Sequence, residues 1–75
     1  MNKKFTHNGK EFEIRQAQIN NEHCIRVYQD NKQVSPTYSV STEIEQDFRT
    51  QHGKSMIEEL AATAESDIIR GLYIS

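Results

Sequence analysis

The hydrophobic period changes once along this chain, from two residues up to Val40 to about 3.6 after it, and this change constrains the fold most. A block of strands followed by a block of helices predicts an α+β arrangement in which helices cover one face of an antiparallel sheet. The expected fold is a four-stranded antiparallel β-meander followed by two α-helices, a two-layer β-β-β-β-α-α domain occupying residues 1–75.

Asn8-Gly9 suits a two-residue type I′ turn, whose central positions both need positive φ. Folding about it sets Phe5 opposite Phe12 on one face and Lys4 opposite Glu13 on the other, two favourable cross-strand pairs. The second strand continues through Ile14, with Glu11, Glu13 and Arg15 on the wet side. A third strand, roughly residues 23–29, carries Ile25 and Val27 inward and Arg26 and Tyr28 outward. Asp30-Asn31 supplies a further tight turn that faces Val27 with Val34, and alternation continues through Pro36, Tyr38 and Val40. Pro36 donates no ladder hydrogen bond, which assigns this fourth strand to an edge.

Two registers are compatible with the connection Ile19-Asn20-Asn21-Glu22. A turn on Asn20-Asn21 opposes Arg15 and Arg26, whereas a two-residue shift opposes Glu13 and Arg26 and removes the repulsion. Ala17 and Ile19 fall out of phase with Phe12 and Ile14, which predicts either a bulge or an exposed Ile19.

Beyond Val40, Thr42-Glu43-Ile44-Glu45 has the spacing of a capping box, with Ile44 and Phe48 on the covering face and Gly53 as the stop. Ser55-Met56-Ile57-Glu58 repeats the pattern. It leads into a stripe of Ile57, Leu60, Ala61, Ala64 and Ile68 that closes before Gly71. Leu72, Tyr73 and Ile74 form an apolar tail.

A domain this small buries only about 60% of the surface of its unfolded chain, and this one has no Trp and 35% hydrophobic residues. Its stability margin is therefore thin, and a partner subunit would enlarge the core. A single cysteine, Cys24, cannot form an intramolecular disulfide, which fits a reducing, cytoplasmic compartment. The N-terminal residues lack the apolar run of a secretory signal, and no stretch approaches the roughly 18 apolar residues of a membrane span.

The residue types that carry chemistry are sparse. His23 and Cys24 are metal-ligand types, but strand neighbours point to opposite faces and do not readily share an ion. His7 beside a turn and His52 at a helix end have local structural reasons to be there. Gly53-Lys54-Ser55 echoes the end of a phosphate loop but lacks its first glycine and its preceding strand, and reads as a helix break. No catalytic residue, cofactor or metal is expected.

Charge is uneven along the chain. Residues 1–40 hold six Lys/Arg against four Asp/Glu, and residues 41–75 hold three against seven. The sheet is thus mildly basic and the helices acidic, within a pI of about 5.9. The sequence therefore predicts a non-enzymatic interaction module that pairs with itself or another protein. Its candidate surface is Lys4, Arg15, Arg26 and Tyr28 on the open sheet face, the edge around Pro36, and the tail of Leu72, Tyr73 and Ile74. The alternative is weak single-stranded nucleic-acid binding, with Tyr28 stacking on a base beside Arg15 and Arg26. Glu11 and Glu13 interrupt that face, and domains that grip phosphate backbones are usually far more basic.

Overall fold

The computed structural model describes residues 2–72. An antiparallel sheet is built from β1 (Asn2–His7), β2 (Lys10–Ile19), β3 (Glu22–Gln29), β4 (Lys32–Gln33) and β5 (Tyr38–Ser41). It is followed by α1 (Thr42–His52) and α2 (Met56–Ile69), which pack against it. The spatial order is β1-β2-β3, with β4 and β5 both pairing β3 along its far side. The period change in the sequence therefore corresponds to a change of layer.

Asn8 and Gly9 adopt φ of 53° and 75°, the left-handed pair that a type I′ turn requires. The hairpin registers Phe5 with Phe12, and their rings stack at 5.2 Å between centroids. Phe12, Ile14, Ile25 and Val27 are buried on the inner face, where Ile57, Ala61, Ala64 and Ile68 of α2 meet them. Phe5, Val34, Tyr38 and Leu60 border this cluster. The two alanines let the α2 backbone come close to β3, while the isoleucines fill the space on either side. Polar contacts fix the helix at both sheet margins. Lys3 Nζ lies 3.3 Å from Glu65 Oε1, and the Tyr38 hydroxyl donates to Asp67 Oδ2 at 2.6 Å.

The fourth strand is not continuous, contrary to the alternation read from sequence. Val34 still meets Val27 through a backbone hydrogen bond of 2.9 Å, but pairing lapses until Tyr38, and Pro36 is exposed. Tyr28 pairs Gln33 whereas Ile25 pairs Tyr38, so residues 34–37 span the two β3 residues Arg26 and Val27. Pro36 has no N–H to give a ladder. The buried Ser35 hydroxyl takes over: its Oγ accepts from Val27 N at 2.9 Å and donates to the Pro36 carbonyl. Ser35→Ala leaves the Val27 amide buried without a partner, at an expected cost of about 1–2 kcal/mol, to be read from the urea midpoint at unchanged m-value.

The helices also correct the sequence reading. Ser41, not Thr42, caps α1, its Oγ accepting from Ile44 N at 3.1 Å. Ile44 is 54% exposed and Phe48 only half-buried, its ring lying against His52, so neither reaches the core. Of the α1 side chains only Glu45 is buried, at 5% exposure. Ser55 occupies the N-cap of α2 but its side chain makes no cap hydrogen bond. The Glu45 carboxylate does so instead, accepting from Met56 N at 2.8 Å and from the Ser55 hydroxyl at 3.1 Å. One helix thus supplies the anion at the positive end of the next. Gly53, at φ 65°, ends α1 in the left-handed conformation expected of it.

Candidate functional site

The register decides which side chains share the face that the helices leave open. β2 pairs β3 through Arg15↔Arg26, Ala17↔Cys24 and Ile19↔Glu22, and β5 adds Ser39 opposite Cys24 and Ser41 opposite Glu22. Directly opposed residues point to the same side, and successive residues alternate. The open face therefore consists of cross-strand rows. Glu13 and Tyr28 form one, Arg15 and Arg26 the next, then Ala17, Cys24 and Ser39, and finally Ile19, Glu22 and Ser41. Lys4 joins it from β1, opposite Glu13.

This is the register that opposes two arginines, and the structure shows how the repulsion is accommodated. Arg15 turns toward the hairpin end. There its Nε contacts Glu13 Oε1, its Nη2 donates to Asn31 Oδ1 at 2.9 Å, and its guanidinium lies 4.2 Å from the centroid of the Tyr28 ring. Arg26 turns the other way and donates from Nε to Thr37 Oγ1 at 3.0 Å. Among the described residues Arg26 has no carboxylate partner within 4.0 Å. Lys4 approaches Glu11 Oε1 at 3.9 Å rather than Glu13, in an exposed pair of little energetic weight.

Four of the residues expected to form an interaction surface, Lys4, Arg15, Arg26 and Tyr28, thus lie on one face. The tail is separate from them. Leu72 is 55% exposed just past α2, while Tyr73 and Ile74 lie outside the described residues. Glu22, Cys24, Ser39 and Thr37 also lie on or beside this face, although the sequence pattern did not assign them to an interaction surface. Parity with Arg26 identifies Glu22 and Cys24, but Thr37 reaches Arg26 only across the irregular segment, which no local pattern marks.

Across β1 to β3 the open face carries Lys4, Arg15 and Arg26 against Glu11, Glu13 and Glu22, a balanced mosaic rather than a basic surface. Ile19 stands on it 44% exposed, without a bulge. A shallow concavity of about 440 Å³ runs over Ile19, Cys24, Arg26, Thr37 and Ser39. The Cys24 side chain lies on this face but is only 6% exposed, and His23 points to the opposite side. The two do not meet. Among the described residues no three His, Cys, Asp or Glu side chains gather as a metal site, and no helix is long and apolar enough to cross a membrane.

No protein family matches the chain, and no curated protein or solved structure does so either.

Proposed function

We propose that this chain is a non-enzymatic interaction module that associates with a second copy of itself through the open face of its sheet. The observation that carries this reading is the composition of that face: neither helix covers it, its charges balance, and Ile19 stands exposed among them. Equal numbers of cations and carboxylates suit a partner with the same mosaic. A polyanion would meet three repelling carboxylates. The aromatic platform for a base is also already occupied, because the Arg15 guanidinium lies over Tyr28.

Four strands about 4.8 Å apart and about eight residues long make a face of roughly 19 by 27 Å. A footprint of this size belongs with the small, transient class of interfaces, so a weak association is expected. Sedimentation equilibrium across a dilution series measures it directly. The expected result is a monomer–dimer equilibrium whose midpoint is only modestly salt-dependent. A monomer at every concentration refutes the reading. Tight, steeply salt-dependent retention of an oligonucleotide would instead favour the nucleic-acid alternative.

A further inference from the structure

Resting on that reading, we infer that the two copies dock face to face about a two-fold axis running across the strands over the Ala17–Cys24–Ser39 row, so that Arg26 of each copy pairs with Glu22 of the other. An isologous contact applies one patch to itself, and for two sheets packed face to face with their strands aligned the axis lies between them, close to along or across the strands. An axis along the strands keeps each row in place and sets the Arg15/Arg26 row against its own copy. That stacks four guanidinium groups, of which Arg26 has no carboxylate partner among the described residues.

An axis across the strands exchanges the rows on its two sides. Placed over the Arg15/Arg26 row, it again opposes arginine with arginine; placed over the Ile19/Glu22 row, it opposes Glu22 with its own copy. Placed over Ala17, Cys24 and Ser39, it exchanges the Arg15/Arg26 row with the Ile19/Glu22 row, each two residues or about 7 Å away along the strand. Arg26 then lies over a carboxylate, and Arg15 lays its aliphatic stem on a partner's Ile19. The central row carries the smallest side chains of the face, so the two backbones approach most closely on the axis itself. Tyr28 and Glu13 fall against the Asn20-Asn21 turn of the other copy. Of the centrings compared, this one removes the like-charge contacts and covers Ile19.

Within one chain Arg26 and Glu22 are four strand residues or roughly 13 Å apart, so an exchange of their charges reads the contact between copies and not one inside a copy. Arg26→Glu and Glu22→Arg are each expected to weaken the dimer by about tenfold or more in sedimentation equilibrium, and the double variant to restore it to within about threefold. Far-UV circular dichroism and thermal melts of the monomers confirm that every variant is folded. Should the wild type dimerise but remain indifferent to both single changes, or the double variant stay as weak as the singles, this docking is overturned while self-association stands. A wild type that never dimerises overturns both.

Discussion

Phe12→Ala is expected to cost about 3–5 kcal/mol of folding stability, because it removes the largest fully buried side chain among the described residues. Phe12 stacks on Phe5 at the sheet margin and belongs to the cluster completed by α2, so its loss opens a cavity lined by two strands and a helix. A chain of 75 residues has little stability to spare, roughly 0.05–0.15 kcal/mol per residue. The variant should therefore populate the unfolded state even without denaturant. Thermal unfolding followed at 222 nm checks this, and a melting temperature within a few degrees of wild type would mean that the core is distributed differently.

Glu45→Ala is expected to cost about 2–3 kcal/mol, more than a helical carboxylate usually does, because two donors lose one buried acceptor. Met56 N and the Ser55 hydroxyl both bond Glu45 Oε1, and α1 buries no apolar side chain that would hold it in place afterwards. Amide exchange should show the effect as faster opening of α1 and of the first turn of α2, with the sheet little changed. Glu45→Gln keeps an acceptor for Met56 N and should recover part of the loss. If Glu45→Ala melted like the wild type, the carboxylate would not be what joins the helices.

The layer architecture, the first hairpin and the α2 stripe were legible in the sequence because each rests on local chemistry. Asn8-Gly9 fixes a turn within two residues, and Phe12, Ile14, Ile25, Val27, Ile57 and Ile68 all point where their periodicity places them. The departures come from contacts that skip along the chain. Thr42 and Glu45 have capping-box spacing, but Ser41 is available one residue earlier, and the α2 N-terminus, at Met56 eleven residues on, binds the carboxylate more fully. The Ile44 and Phe48 pair predicts an amphipathic helix without revealing that α2 already fills the inner face.

On the open face, too, long side chains find partners on other elements. Repulsion between Arg15 and Arg26 left two registers open, and the one adopted depends on Asn31, Tyr28 and Thr37, which sit on other elements. Lys4, Arg15, Arg26 and Tyr28 could be placed together by counting parity alone. Their individual partners could not, since a guanidinium on a long stem chooses among several acceptors within reach.

The interruption opposite Arg26 and Val27 has a further consequence for solubility. A sheet polymerises when an incoming strand finds an unbroken ladder of free amides and carbonyls, and β4 and β5 present only two and four residues, separated by a stretch containing Pro36. At the opposite margin β1 carries adjacent lysines, Lys3 and Lys4, which repel a like strand laid alongside. Lateral growth into fibrils is thereby discouraged at both borders, so a crowded solution of this protein should stay clear where an unguarded sheet of the same size would gel.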